Sequence, residues 1–436
     1  MLTIKQALVH YPPLDAASLR QQFPSLHKMV NGHEAIYLDG PGGTQVPQTV
    51  IDAMMTYLLR DNSNQGGVFL NSLATDRVVG EARRAMADLL NARRPEEIVF
   101  GQNMTTLTFQ LSRSLARTWQ AGDEIVVTRL DHNANIDPWL QAAADKGVTV
   151  RWLDVNPETI TLDLDALPNL LNEKTRLVAC TYASNAVGSV TDVARVVELA
   201  HTAGALAYID AVHYAPHGPI DVQALDCDFL VSSPYKYYGP HMGVLYGKYQ
   251  LLEELEAYKV RPADSHPAGK WETGTPSFES MAGTRAAVDY LAMIGDISLS
   301  PSVNEPWRDL TGRRLQLRRA MTIIKEYERS LSEQFLQGAE QIAGLEVYGL
   351  TDLARLEERT PTFAVRVHGR APDVIARALA RQGIFVWSGH FYALNLLERL
   401  EMLESGGVVR IGFVHYNTAE EVERLLSALA RLAPAS

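Results

Sequence analysis

The chain has 436 residues, of which 46% are hydrophobic and 21% charged, and this composition is typical of a globular protein rather than a disordered one. Its 51 acidic and 40 basic side chains give a net charge of −11, which disfavours nucleic acid as a partner, because duplex-binding proteins usually have the opposite balance. A chain of this length usually divides its hydrophobic core, so we expect two domains.

Cysteine usage and the N-terminal residues indicate where the protein works. Only two cysteines occur, Cys180 and Cys227, which excludes a disulfide framework and favours a reducing cytoplasm. The first thirty residues contain charges and two consecutive prolines in place of an apolar segment, so no signal peptide is expected. No run of about twenty apolar residues occurs, so we expect no membrane association.

The first two thirds of the chain alternate between strands and helices. Residues 1–30 are predicted to form an arm that packs with a small C-terminal domain, and "AIYLDGPGGTQVP" is a short strand with a glycine-rich turn. Short apolar runs separated by helical stretches then predict a large α/β domain over residues 31–294, built on a mainly parallel sheet. The predicted strands are "EIVF", "DEIVVT", "VTVRWLDV", "TRLVACTY", "ALAYID", "CDFLVSS" and "GVLYG".

Residues 295–436 are predicted to form a smaller α+β domain. A long charged helix, "TGRRLQLRRAMTIIKEYERSLSEQFLQGAE", precedes the strands "PTFAVRVHG", "IFVWSG" and "VVRIGFVHYNT", and a last helix follows them. Four arginines of the long helix recur at helical spacing, which indicates a solvent-exposed basic face. They are Arg313, Arg314, Arg318 and Arg319.

Polar residues stand where the predicted strands of the large domain end, which is where ligands bind in open α/β sheets. Each alone has an ordinary explanation, such as a helix cap for Asp210 or a solvent-facing turn for Lys236. Together they match the needs of pyridoxal phosphate: a lysine for a Schiff base, a carboxylate for the pyridine nitrogen, a helix start for the phosphate and a flat group for stacking. These residues are Asn103, Thr105, Thr106, His132, Ser184, Asn185, Asp210, His213, Tyr235 and Lys236.

Longer stretches of the chain resemble the class V aminotransferases of fold type I, most closely their cysteine desulfurase-like branch. The stretches are "DHNANIDPW", "IDAVHYAP", "SSPYKYYGPHMGVLYGK", "WETGTPS" and "VRIGFVHYNT", and the resemblance covers nearly the whole chain. It implies an aspartate aminotransferase-like fold with a seven-stranded, mainly parallel sheet in the large domain. It also implies a homodimer with shared active sites and an amino acid as substrate.

The resemblance implies a catalytic role for Lys236, Asp210 and His132, and a binding role for Asn185 and Arg410. Lys236 is expected to bind the cofactor covalently, and Asp210 to pair with its pyridine nitrogen. His132 is expected to stack on the ring. Asn185 is expected beside the ring and the substrate carboxylate, which Arg410 would bind with its planar guanidinium.

The resemblance also implies further contacts to the cofactor. His213 stands where a residue bonds the phenolic oxygen, and Thr275 where a threonine reaches the phosphate from the other subunit. The other expected cofactor-binding residues are Met104, Thr105, Ser233 and Tyr235. Two cofactor-binding motifs depart from the family pattern. Asn103-Met104-Thr105 stands where the family has Gly-Thr-Thr, and Ser233-Pro234-Tyr235-Lys236 stands where it has Ser-Gly-His-Lys.

One departure bears on the reaction itself. Desulfurases of this family place a nucleophilic cysteine two residues after a histidine, and here His390 is followed by Phe391 and Tyr392. Since a phenol with a reference pKa of about 10 is a poor substitute for a thiol, Tyr392 is expected to contact substrate instead. Cys180 and Cys227, in apolar runs, are expected to pack in the core.

These patterns predict a PLP-dependent enzyme, a transferase or lyase, that removes the α-proton of an amino acid. Transamination or β-elimination is favoured over epimerisation, and the chain is not expected to be a persulfide-forming desulfurase. The alternatives are a cysteine desulfurase with an unrecognised thiol, an amino-acid epimerase, and a cofactor-binding protein without turnover. No metal site is expected, because His-Glu-x-x-His and Cys-x-x-Cys motifs do not occur.

Overall fold

The computed structural model describes residues 11–296, 307 and 309–434. The first ten residues of the predicted arm and most of the segment from 297 to 308, at the start of the predicted small domain, lie outside the described residues. The strands are β1 (Met29–Val30), β2 (His33–Glu34), β3 (Ile36–Tyr37), β4 (Ile98–Gly101), β5 (Glu124–Thr128), β6 (Thr149–Leu153), β7 (Thr175–Thr181), β8 (Leu206–Asp210), β9 (Phe229–Ser232), β10 (Gly243–Gly247), β11 (Leu345–Tyr348), β12 (Thr362–Val367), β13 (Ile384–Phe385), β14 (Trp387–Gly389) and β15 (Val408–Gly412).

Helices of three kinds connect these strands. The α-helices are α1 (Ala16–Arg20), α2 (Gln48–Thr56), α3 (Leu70–Leu90), α4 (Met104–Ala116), α5 (Asp137–Lys146), α6 (Val193–Thr202), α7 (Val222–Leu225), α8 (Tyr249–Glu254), α9 (Phe278–Ile294), α10 (Gly312–Glu340), α11 (Pro372–Ala380), α12 (Leu394–Arg399) and α13 (Ala419–Leu432). A π-helical segment spans Tyr57–Asp61. Short 3₁₀ helices span Pro24–His27, Pro95–Glu97, Asn133–Asn135, Leu167–Leu170, Pro234–Lys236, Gly269–Trp271 and Leu353–Glu358.

The larger sheet has seven strands in the order β4-β10-β9-β8-β7-β5-β6. All neighbours are parallel except β10, which runs antiparallel to both β4 and β9. Strands such as β5 and β9 are buried along their whole length, as expected for a parallel sheet covered by helices on both faces. The predicted α/β class and the mainly parallel seven-stranded sheet are therefore confirmed.

Helix α6 shows how local sequence sets the crossovers between these strands. Asp192 accepts a hydrogen bond from the backbone N–H of Arg195 and caps the start of the helix. The helix ends before Gly204, whose φ of +77° lies in the left-handed region that glycine tolerates. The strand β8 then begins within two residues, so its carboxyl end, Asp210, reaches the same sheet edge as the end of β7.

The C-terminal region contains a four-stranded sheet in the order β11-β12-β15-β14, with every pair antiparallel. Its buried face includes Phe363 and Phe413, which pack against Phe335 of α10. Two details differ from the sequence prediction. β11 was not predicted, and "IFVWSG" forms two strands, β13 and β14, of which β13 pairs in parallel with β3.

Contacts between segments that are distant in sequence hold the glycine-rich turn against the four-stranded sheet. Asp39, which follows β3, forms a parallel bridge with Gly412 at the end of β15. The packing there is tight, since a Cβ on Gly412 would lie 2.1 Å from Cδ of Pro41. Arg20 of α1 donates to the carbonyl oxygen of Tyr416 over 2.6 Å. The domain boundaries themselves stay predictions.

The prediction of an exposed basic face on α10 is wrong. Arg318 and Arg319 are buried, and Arg313 and Arg314 both donate to the carboxylate of Asp88 on α3. The reason is that α10 packs against α3 and α9, which turns these arginines towards acidic side chains. None of the helices in the described ranges is long and apolar enough to cross a bilayer.

Candidate active site

A cavity of about 590 Å³ lies at the carboxyl ends of the parallel strands, between the two sheets. Its walls combine strand ends of the large sheet with Pro41 and Gly42 of the glycine-rich turn and with residues next to β14 and β15. Of the residues that the sequence predicted for the site, those lining the cavity are Met104, Thr105, His132, Asn185, Asp210, His213, Tyr235, Lys236, Tyr392 and Arg410. Two others, Ser233 and Thr275, do not line it.

Lys236 ends the 3₁₀ helix that follows β9, and its amine points into the cavity. Nζ donates a hydrogen bond to the carbonyl oxygen of Pro41 and lies 4.8 Å from the centre of the Tyr235 ring. Burial and, next, the positive charge of Arg410 lower the pKa of Lys236 to about 7. A large fraction of this amine is therefore neutral near pH 7, as a nucleophilic lysine must be.

Asp210 ends β8 and is only 4% exposed. Its Oδ1 accepts a hydrogen bond of 2.9 Å from the backbone N–H of Val212. Burial raises the pKa of Asp210 to about 6, although the Lys236 charge opposes the shift. Asp131 lies behind it, fully buried, and accepts hydrogen bonds from Thr128 and Asn135.

Asp131 is a buried carboxyl that the sequence reasoning missed. Burial raises its pKa to about 8, so it is mostly neutral near pH 7. This leaves Asp210 as the group that carries negative charge at this part of the sheet edge. The signal in the sequence was an aspartate directly before His132, in "RLDHNAN", but its spacing resembles an ordinary turn.

His132 is held as a neutral imidazole. Its Nδ1 accepts the backbone N–H of Ala134 over 3.0 Å, which leaves the proton on Nε2. Burial, followed by the charges of Lys236 and Arg410, lowers the pKa of His132 to about 3. The ring stacks on that of Tyr392, with centres 5.4 Å apart and planes inclined by 25°.

Arg410 lies in β15 and is 5% exposed. Nη1 donates to the carbonyl oxygen of Asn185 over 3.1 Å, and Nη2 donates to Oδ1 of Asp39 over 3.4 Å. The guanidinium carbon lies 4.3 Å from the centre of the Phe391 ring. Asp39 was not predicted for the site, because only the bridge between Asp39 and Gly412 brings it there.

His213 lines the cavity and is 4% exposed. Its Nε2 lies 3.1 Å from Oγ1 of Thr360, and its ring meets the edge of His217 at 5.2 Å. Burial holds the pKa of His213 well below its usual range, so the ring is neutral. It can donate one hydrogen bond and accept another.

The segment 390–394, here called the rim loop, closes one side of the cavity. Three hydrogen bonds fix its backbone: Asn133 N–H to the Tyr392 oxygen, Leu394 N–H to the Asn133 side chain, and the Asn185 amide to the Phe391 oxygen. Phe391 and Tyr392 have φ of 53° and 56°, a backbone conformation that residues other than glycine rarely adopt. The Tyr392 side chain remains 65% exposed at the mouth.

The two cysteines lie away from the cavity. Cys180 belongs to β7 and Cys227 precedes β9, and both are 0% exposed. Burial is the main cause that raises the pKa of each thiol. Their placement in the core agrees with the sequence prediction.

Unpartnered polar atoms in and beside the cavity are free to bind a ligand. Oδ1 of Asn185, Oγ of Ser233 and Nε of Arg410 are buried without a hydrogen-bond partner. The first backbone N–H groups of α4, at Met104 and Thr105, provide a helix start suited to a phosphate. With Lys236, Asp210 and His132, these residues fit pyridoxal phosphate.

Thr275 is exposed and is not brought to the cavity within one chain. Among the described residues, no three metal-ligating side chains come together. The roles assigned to the site residues from the sequence stay predictions.

Comparisons with known proteins find relatives over nearly the whole chain, several named cysteine desulfurases and one, from Gibberella zeae, named an aminotransferase-like protein. A model of the aminotransferase class-V family matches residues 36–306 and 311–425. A probable cysteine desulfurase from Synechocystis sp. is 33% identical over 436 residues, which cover 96% of this chain and 95% of the relative.

Two solved structures are similar over their whole length. The apo structure of a cysteine desulfurase from Thermococcus onnurineus is 25% identical with a TM-score of 0.84, and the match covers 98% of this chain and 99% of that one. The cysteine desulfurase CsdA from Escherichia coli is 28% identical with a TM-score of 0.80, covering 96% and 98%. The predicted fold type I is thereby confirmed.

The comparisons contradict the predicted reaction. Transamination or β-elimination without persulfide formation was expected from Tyr392, yet relatives similar over the whole chain are named cysteine desulfurases. That prediction is therefore wrong. The prediction rested on Tyr392 alone, and a tyrosine at one loop position rules out a protein thiol only at that position.

Proposed function

This chain belongs to the aminotransferase class-V family, and on that premise we propose that it is a cysteine desulfurase, a PLP-dependent enzyme that converts L-cysteine into L-alanine and passes the sulfur to a thiol. The observation that carries the proposal is Lys236. Its pKa of about 7 leaves a neutral amine in the cavity that Asp210 and Arg410 also line.

When bound, the cofactor supplies covalent attachment for an amino group and withdraws electrons from the carbon beside it. The residues of this chain bind, orient and move protons around it. Asp210 would hold a proton at the pyridine nitrogen, and His132 would pack flat against the ring. The start of α4 and Ser233 would hold the phosphate, and His213 would bond the phenolic oxygen.

Two residues of the site would act on the substrate itself, Arg410 and Lys236. Arg410 already makes hydrogen bonds to Asn185 and Asp39, so its guanidinium is oriented before substrate arrives, and its free Nε is available for a carboxylate. Lys236, with its amine free, would take the α-proton and return it to the product.

The reaction is tested by supplying L-cysteine and a reductant to the cofactor-loaded protein and measuring alanine, sulfide and pyruvate together. Alanine should equal the sulfur released. Pyruvate in place of alanine would contradict the proposal, because β-elimination leaves no alanine. Lys236→Ala is the control for alanine formed without the enzyme.

We also propose a homodimer. A row of apolar side chains from α2 to the start of α3 is exposed in the single chain: Leu58, Leu59, Val68, Phe69 and Leu70, with Val68 94% exposed. Apolar exposure on this scale is typical of an interface between subunits. Sedimentation at micromolar concentration should give a species of about twice 48.2 kDa, and a single-chain mass would contradict the dimer. The two unpaired cysteines support a cytoplasmic location.

A further inference from the structure

The sulfur of cysteine needs a thiol to accept it, and neither thiol of this chain is placed to do so. Cys180 and Cys227 are both fully buried and line no part of the cavity. Burial raises the pKa of each, so both stay protonated, whereas attack on sulfur requires a thiolate. A second subunit would bring the same two buried cysteines, since the whole sequence contains no others.

The mouth of the cavity is shaped by aromatic side chains in contact with solvent. Trp387 is 58% exposed and Tyr392 65% exposed, and both line the cavity. The rim loop that carries Tyr392 is held to Asn133 and Asn185 by its backbone. A molecule that enters here meets a formed opening.

The charge inside the cavity suits an anionic sulfur nucleophile. Arg410 brings a cationic group to the cavity and Lys236 an amine that is partly protonated near pH 7, while the rings of His132, His213 and Tyr235 are neutral at that pH. Positive charge stabilises a thiolate and lowers its pKa. Asp137 and Asp210 in the lining, with Asp39 nearby, are acidic groups that reduce this effect.

We propose that the sulfur acceptor is a thiol of another molecule, which enters beside Trp387 and Tyr392 and leaves as a persulfide. This rests on the proposed desulfurase function. The Cβ–S bond of cysteine breaks and an S–S bond forms to the acceptor. Cβ keeps the electron pair of the broken bond and takes the proton that the acceptor thiol loses. Carbon is reduced by two electrons and the two sulfur atoms together are oxidised by two, so no further oxidant is needed.

The first test varies the acceptor. Alanine formation by the cofactor-loaded protein is followed at one low L-cysteine concentration with increasing glutathione, or with a short peptide that contains one cysteine. The rate should rise with thiol concentration, and mass spectrometry after alkylation should place the sulfane sulfur on the added thiol. The better of the two acceptors then identifies the source as a small molecule or a polypeptide.

The outcomes separate the two proposals. Alanine formed at a rate independent of added thiol, with the persulfide on Cys180 or Cys227, would overturn the external acceptor and leave the desulfurase intact. No alanine with any thiol would overturn the desulfurase and the acceptor with it. The mass measurement uses the natural chain, so it does not depend on whether core variants fold.

A second test places a thiol at the mouth. Without added thiol, and with L-cysteine limited to one equivalent, Tyr392→Cys should form alanine in a burst of about one per chain and carry the persulfide at position 392. The matched control is Tyr258→Cys, because Tyr258 is 49% exposed and does not line this cavity. A burst in the control, or none in Tyr392→Cys, would contradict the placement of sulfur transfer at the mouth.

Discussion

Two regions of this protein bury ionisable and polar side chains, and they complete them in different ways. In a buried polar network, His217 lies 2.8 Å from Glu328, and His415 lies 2.6 Å from each of the hydroxyls of Tyr238 and Tyr290. Each of these residues has a hydrogen-bond partner from the chain, although Nε2 of His217 and Oε1 of Glu328 have none. In the cavity, Oδ1 of Asn185 and Nε of Arg410 also lack a partner, and the two regions differ in the space beside these atoms.

The space beside each region explains the contrast. The cavity measures about 590 Å³, while the pocket next to His217 and Glu328 measures about 20 Å³. The small pocket beside the network leaves little room for a ligand, so its hydrogen bonds contribute to stability. The cavity is completed only by a ligand, and until then its buried charges reduce the stability of the fold.

The strongest test of this contrast is Lys236→Ala. Alanine formation should fall by at least about 10²–10⁴-fold, since both covalent attachment and proton transfer are lost, while circular dichroism stays that of the natural protein. Borohydride reduction and peptide mapping of the natural protein should find the cofactor on Lys236. Finding the cofactor on Lys248 or Lys259 would contradict the assignment of Lys236 as the covalent attachment site.

Arg410→Ala should be next in size. Leaving a desolvated carboxylate without its partner costs about 2–5 kcal/mol, which predicts a fall in kcat/KM of roughly 30- to 4000-fold with cysteine. The loss should appear mainly in KM. If alanine forms equally well at low cysteine, Arg410 does not bind the substrate carboxylate.

The sequence alone predicted most of the frame that holds these groups. Apolar runs bounded by turns were enough for β4 to β10, because both faces of this sheet are buried. β11 was missed because its four residues, "LEVY", are only partly buried and have no apolar run. The site residues at strand ends were found for the same reason, since parallel strands share one edge.

What the sequence could not show were contacts between distant segments. Asp39 meets Arg410 across 371 positions, and Phe391 covers the same guanidinium because of two residues at positive φ. No local pattern encodes such encounters. The arginines of α10 were misjudged in the same way, since their helical spacing is visible and the acidic partner on α3 is not.

Glu328→Gln tests the network half of the comparison. Glu328 and His217 are each 2% exposed in their side chains, so breaking this pair should lower the free energy of unfolding by about 2–4 kcal/mol in urea titration. kcat/KM should change less than threefold. Glu357→Gln is the control, because Glu357 pairs with Lys325 but is 53% exposed and should cost under about 1 kcal/mol. Equal stability of the two variants would contradict the division of roles.

Asp210→Asn should have the smallest effect and the opposite sign. Burial raises the pKa of Asp210 from 3.8 to about 6, so between these pH values the folded protein holds a proton that the unfolded chain has released. Stability of the cofactor-free protein therefore falls as pH rises through this window. Asparagine keeps the shape and can still accept the Val212 N–H without ever carrying charge.

The cofactor-free variant should thus match the natural protein near pH 4 and exceed it above pH 6 by about 1–3 kcal/mol, as measured by urea unfolding across that range. Asp373→Asn, on the exposed surface of α11, should leave the pH profile unchanged. Pyridoxal phosphate should reverse the order, because only the carboxylate can hold the proton of the pyridine nitrogen. A variant that is less stable at every pH without cofactor would mean that Asp210 stabilises the fold as Glu328 does, and the contrast between the two regions would fail at this buried carboxylate.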